Sequence, residues 1–89
     1  MKIPIKTYLN SLSDEILTLR IESREITVFP DLIRFKNLKE LYCGFNKISS
    51  LPNTLPESLE ILYCSYNQLT SLPDLTRLKK LKKLYCSNN

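Results

Sequence analysis

A near-repetition at fixed spacing is the feature that most constrains what this chain can fold into. "LKELYCGFNKISSLP" begins at Leu38, "LEILYCSYNQLTSLP" at Leu59 and "LKKLYCSNN" at Leu81, so one phrase returns after 21 and then 22 residues. One unit further back, "ILTLRIESREITVFP" from Ile16 fits the same frame. There Ile16, Leu19, Ile21, Ile26 and Phe29 take the apolar slots, and Pro30 matches Pro52 and Pro73. Arg24 is the departure, standing where the later copies carry Asn46, Asn67 and Asn89. "YLNSLSDEI", Tyr8 to Ile16, is similar to the tail of a repeat, "LPNTLPESL". A unit of this length cannot bury its own apolar face, so successive units must stack and share one core. The chain therefore reads as a single solenoid. Residues 1–15 are a degenerate half repeat or cap, 16–37, 38–58 and 59–80 are repeats, and 81–89 is a partial fourth.

Within a unit the pattern predicts a short strand, a turn and an extended or loosely helical return. Alternation in "ELYCG" sends Leu41 and Cys43 to one face and Glu40, Tyr42 and Gly44 to the other. The expected core comprises Leu38, Leu41, Cys43, Ile48, Leu51, Leu55, Leu59, Leu62, Cys64, Leu69, Leu72, Leu75, Leu81, Leu84 and Cys86. Each proline of the row Pro30, Pro52 and Pro73 lacks an N–H and fixes φ, which ends the strand-and-turn half.

The phrase L-x-x-L-x-(L/C)-x-x-N-x-L-x-x-L-P resembles the leucine-rich repeat family. The short units, and "LPNTLPESLEIL" in particular, are most similar to the repeats of bacterial effectors and giant-virus proteins. The resemblance covers Ile16 to Asn89. It implies an α/β fold: a right-handed solenoid with a curved parallel sheet on the concave side and short 3-10, extended or helical segments on the convex side. It also implies that Asn46, Asn67 and Asn89 form a ladder, each amide pairing with turn backbone of its own and neighbouring repeats.

Cys43, Cys64 and Cys86 occur once per repeat, in a slot that the family usually fills with leucine. They read as small core hydrophobes with raised pKa values and low reactivity, Cys86 being the accessible one. The chain has no histidine and no C-x-x-C pair, so no metal site is expected. Neighbouring parallel strands bring such cysteines near disulfide range, but side chains on one face would need a strained geometry. With a single glycine, Gly44, there is no glycine-rich phosphate loop, and the acids are scattered. No catalytic constellation and no cofactor are expected, and the chain reads as a non-enzyme.

The outward face carries Thr18, Arg20, Glu22; Glu40, Tyr42, Gly44; Ile61, Tyr63, Ser65; and Lys83, Tyr85, Ser87. Tyr42, Tyr63 and Tyr85 form one row, and rigid amphipathic rings suit a binding surface. With Arg20, Glu40, Ile61 and Lys83 they make the expected contact surface for a protein or peptide partner. Stacked tyrosines also support one another along parallel strands, so the row has a structural reading too. An alternative function is substrate recognition within a larger effector enzyme such as a ubiquitin ligase.

A third reading is a weak contact with anionic membrane or RNA through the basic run Arg77 to Lys83, "RLKKLKK". The net charge of +4 is too small to argue for nucleic acid by itself, and no aromatic residues interleave with the run. No apolar stretch is long enough for a signal-peptide core or for the roughly 20 residues of a membrane span. The expected location is a reducing cytoplasm, or the host cytoplasm for an effector or viral protein. The chain stops at Asn89 in mid-repeat, which suggests either a fragment of a longer protein or a homodimer whose copies cover each other's C-terminal strand.

Overall fold

The computed structural model describes residues 3–89. Each repeat contributes one three-residue strand: β1 (Thr18–Arg20), β2 (Glu40–Tyr42), β3 (Ile61–Tyr63) and β4 (Lys83–Tyr85). They form one parallel sheet in chain order, β1-β2-β3-β4. The register aligns Leu19, Leu41, Leu62 and Leu84, and beside them Arg20, Tyr42, Tyr63 and Tyr85. Backbone carbonyls set that register at each strand entrance. Leu17 O accepts from the N–H groups of Lys39 and Glu40, Lys39 O from Glu60 and Ile61, and Glu60 O from Lys82 and Lys83. This is a solenoid of the kind the repeat pattern implies, with the sheet on one side and irregular returns on the other.

The strands are short because the chain turns three residues beyond each. Ser23, Phe45, Tyr66 and Asn88 occupy equivalent positions, with φ of 55°, 56°, 60° and 58°. This left-handed turn swings the next residue inward, and in the later repeats that residue is asparagine. Asn46 Nδ2 donates to the carbonyls of Ile21, Cys43 and Gly44, and its Oδ1 accepts from the N–H groups of Arg24 and Ile26. Asn67 donates to Cys43, Cys64 and Ser65 O and accepts from Ile48 N–H. Asn89 donates to Cys64, Cys86 and Ser87 O and accepts from Leu69 N–H. Each amide thus satisfies backbone groups of two turns, groups that burial would otherwise leave unpaired.

The core is a single row of stacked apolar layers. Leu38, Leu41, Cys43, Ile48, Leu51, Leu55, Leu59, Leu62, Cys64 and Leu69 are buried, together with Leu19, Ile21 and Ile26 of the first repeat. Leu9, Leu32, Phe35 and Leu78 are buried as well. Leu72, expected inside, is 41% exposed. Its equivalent Leu51 has a turn packed on each side, whereas Leu72 lies on the last full turn and has one. Leu75, Leu81, Leu84 and Cys86 are half-buried for the same reason. Gly44 and Ser65, expected on the outward face, are buried. They lie beyond the strands, where the chain has begun to turn in.

Ahead of β1, helix α1 (Ile5–Asn10) lays Leu9 against the core. Arg24, in the asparagine slot of the first repeat, serves this helix. Its guanidinium lies 4.2 Å from the Tyr8 ring centroid and donates to Ile3 O at 3.2 Å. The substitution exchanges a rung between turns for a tie to the segment that precedes them.

The returns alternate in type with a spacing of two repeats. "DLIRFKNL" from Asp31 and "DLTRLKKL" from Asp74 are equivalent and form matching turns, with N–H to C=O bonds Phe35→Leu32 and Leu38→Phe35 in one and Leu78→Leu75 and Leu81→Leu78 in the other. Each begins on an Asx turn, Asp31 accepting from Ile33 N–H and Asp74 from Thr76 N–H. Each also sends an arginine back over the preceding return. Arg34 donates to Asp14 at 2.6 Å and to Leu9 O and Leu12 O at 2.5 and 3.2 Å. Arg77 donates to Asn53 O, to Leu55 O and to Glu57, the last at 3.3 Å. The receiving segments, "NSLSDE" from Asn10 and "NTLPES" from Asn53, match in sequence as well.

Candidate functional site

The outward side of the sheet is a surface of rings and charges. Arg20, Tyr42, Tyr63 and Tyr85 run across it in register, Tyr42 and Tyr63 with centroids 6.4 Å apart and Tyr63 and Tyr85 with centroids 5.7 Å apart, both pairs tilted. Arg20 heads the row, its guanidinium carbon 4.3 Å from the Tyr42 centroid. It also donates to Glu22 at 3.0 Å. The Tyr42 hydroxyl donates to Glu40 at 2.7 Å, a bond that holds the phenol above its usual pKa. Ile61 is half-buried between Glu40 and Lys83 in the neighbouring row, and Lys83 is exposed.

Gly44 is what lets Tyr63 lie flat. A Cβ built there would fall 2.5 Å from Tyr63 Cε1 and 2.9 Å from Cδ1. The ring therefore packs against the backbone of the preceding repeat, whereas the positions equivalent to Gly44 before Tyr42 and Tyr85 are Glu22 and Ser65, which carry side chains. Ser65 instead turns its hydroxyl inward to accept the Ser87 N–H at 3.1 Å.

A second aromatic group, absent from the expected site, flanks this row. Phe45 and Tyr66 stack face to face at 4.5 Å with a 7° angle, and both are about half exposed. They sit at the left-handed turn position, where a bulky side chain is unusual and where Asn or Gly costs less. The signal was present in the sequence as the column Ser23, Phe45, Tyr66, Asn88, but alternation alone does not carry the strand's outward direction around the turn. Phe45 joins Arg20, Glu22, Ser23, Tyr42 and Tyr63 in lining an open cleft of about 420 Å³. Another cleft of about 400 Å³ lies between α1 and the return from Val28 to Arg34, away from all the expected contact residues.

The three cysteines are free, and they line the core. Cys43 and Cys64 are fully buried, and desolvation raises both thiols, that of Cys64 to about 11. Cys86 is half-buried. Cys43 Sγ approaches Tyr63 O at 3.4 Å. No group of three or more metal-ligating side chains occurs among the described residues.

The basic run is partly neutralised. Arg77 is spent on Glu57 and two carbonyls, and Lys82 lies 3.5 Å from Glu60. Lys79, Lys80 and Lys83 remain exposed. No helix of the described residues is long and apolar enough to cross a membrane.

Comparison with known proteins agrees with this architecture. The family model for leucine-rich repeats in two copies matches residues 57–89, and that for a single leucine-rich repeat matches residues 37–57. No curated protein matches the chain. Repeats of this kind generally mediate protein–protein interaction and are typically non-enzymatic. A parallel strand per repeat, an asparagine after each later strand and matched family models over residues 37–89 lead to one assignment. The chain belongs to the leucine-rich repeat family.

Proposed function

We infer that this protein is a non-enzymatic interaction module whose protein or peptide partner docks on the outward face of the sheet, over Tyr42, Tyr63 and Tyr85. Arg20, Glu40, Ile61 and Lys83 border the contact, and Phe45 and Tyr66 extend it past the strand ends. The observation that carries this reading is the pair of neighbouring aromatic rows, one of them held at a turn position that disfavours bulky side chains. Large rings held at a backbone cost while about half exposed are better explained by a contact than by stability.

Area limits the partner. Four strands about 4.8 Å apart, each showing roughly 17 Å of outward side chains, offer only about 300 Å², against about 800 Å² per partner in a standard stable interface. An extended peptide or a single projecting loop fits this face. Its own backbone cannot join the sheet here, because the strand hydrogen bonds lie in the sheet plane, so recognition rests on rings, hydroxyls and charges.

Capture of binding partners by the wild-type protein and by a Tyr42→Ser/Tyr63→Ser/Tyr85→Ser variant tests the reading. The variant is expected to keep the fold by circular dichroism and to lose the partner. A Lys79→Ser/Lys80→Ser variant, changed on the return away from this face, is expected to retain it. Undiminished capture by the tyrosine variant would rule the face out.

A further inference from the structure

We propose that the outward face takes a polyproline-type peptide lying across the strands, with a basic residue over Glu40 and an acidic residue three positions away over Lys83. This rests on that face being the partner surface, and it names the conformation and the charges of what docks there.

The charge pattern comes from the register. Glu40, Ile61 and Lys83 are neighbours on β2, β3 and β4, so an acid and a base stand two strands apart with an apolar side chain between them. Neither charge joins an ion pair among the described residues. Glu40 uses one oxygen to accept the Tyr42 hydroxyl, and Lys83 is exposed. At the β1 end, by contrast, Arg20 and Glu22 already close on each other.

Spacing selects the conformation. Two strand steps of about 4.8 Å separate the charges by about 9.6 Å. A polyproline helix, with three residues per turn and a rise of about 3.1 Å, brings every third residue back to one side at about 9.3 Å. A β-extended peptide returns every second residue, at about 6.7 Å and then about 13 Å, and neither distance fits.

The surface beside the charges suits the same ligand. Tyr42, Tyr63 and Tyr85 run alongside the charged row, and aromatic side chains line the grooves that receive proline-rich peptides. A polyproline helix leaves its carbonyls without internal partners. The hydroxyls of Tyr63 and Tyr85 make no hydrogen bond among the described residues and are free to donate to them. So small a face offers little binding energy to order a ligand, and a polyproline segment arrives ordered.

The test is an NMR titration of the whole protein with the end-blocked peptide Pro-Lys-Pro-Pro-Glu-Pro, following the ring signals of Tyr63 and Tyr85 and the methyl signals of Ile61. Saturable shifts are expected at millimolar peptide. The counterpart with glycine for every proline is expected to bind at least about threefold more weakly, because it must be ordered on binding. Glu40→Gln and Lys83→Gln are each expected to weaken binding about threefold, the scale of one exposed ion pair, and added salt is expected to weaken it too. Glutamine at position 40 can still accept the Tyr42 hydroxyl and Lys83 is exposed, so both variants are expected to keep the fold by circular dichroism. Absent shifts, equal binding of the glycine peptide, or an affinity that either variant leaves unchanged would overturn the proposal. So would tighter binding of a peptide with glutamate at both charged positions, the mark of a plain anion contact. Partner capture, judged separately with the tyrosine variant, would then still decide the broader reading.

Discussion

Asn67 shows how a single side chain can hold a solenoid turn closed. Its amide bonds three carbonyls from two repeats and accepts a fourth bond from Ile48 N–H, all in buried surroundings. Asn67→Ala strands those groups and is expected to lower unfolding free energy by about 1–3 kcal/mol, measured by urea denaturation. Asn67→Asp is expected to fare worse at neutral pH, since a carboxylate can accept from Ile48 but repels the carbonyls. The cysteines differ from one another in a way that chemistry can read. At pH 8.5, iodoacetamide is expected to modify Cys86 first in the native protein, leaving Cys43 and Cys64 protected until denaturant is added; mass spectrometry distinguishes the cases. Burial holds the Cys64 thiol near 11 against an ordinary value of 9.0. The unfolded chain therefore loses that proton first, and the thiol's contribution to stability, full below pH 9, is lost as pH rises towards 11. Cys64→Ala should flatten that part of the stability–pH profile.

At the scale of the element, the sheet was legible from sequence and the returns were not. Strand positions followed from Leu41, Leu62 and Leu84, because a parallel ladder with one buried face fixes register to the residue. The outward row was legible for the same reason, up to Tyr42, Tyr63 and Tyr85. Beyond the strand the period of two ends. Alternation misplaces Gly44 and Ser65, and passes over Phe45 and Tyr66, because a residue with φ near 60° redirects everything after it. The returns hid a second regularity. Arg34 and Arg77 are equivalent, two repeats apart, and each ties its own return to the one before. The surface ion pairs alone are worth little, about 0–1 kcal/mol, so the bonds to carbonyls decide the effect. Arg34→Ala and Arg77→Ala are each expected to cost about 1–2 kcal/mol in denaturation. Lysine at either position should recover only part of the loss, having no fork to span two acceptors.

The whole molecule is a thin solenoid, 36 × 29 × 17 Å, in which repetition builds the scaffold and departures from repetition mark its specialised parts. Arg24 departs from asparagine and ties down α1. Arg20 departs from tyrosine and places a cation at the head of the aromatic row. Phe45 and Tyr66 depart from the small or polar residues that suit a left-handed turn. The first was visible as an anomaly in sequence, while the meaning of the others needed the distances between side chains. The central claim is that the partner lies on the aromatic face, and footprinting of the complex tests it most directly. Hydroxyl-radical labelling of the protein, alone and with its captured partner, reads out which side chains become shielded. The account predicts protection at Tyr42, Phe45, Tyr63, Tyr66 and Tyr85, with Val28, Ile33 and the segment from Arg77 to Lys82 unchanged. Protection confined to the returns or to the cleft beside α1, with the five aromatic residues still labelled as in the free protein, would contradict it.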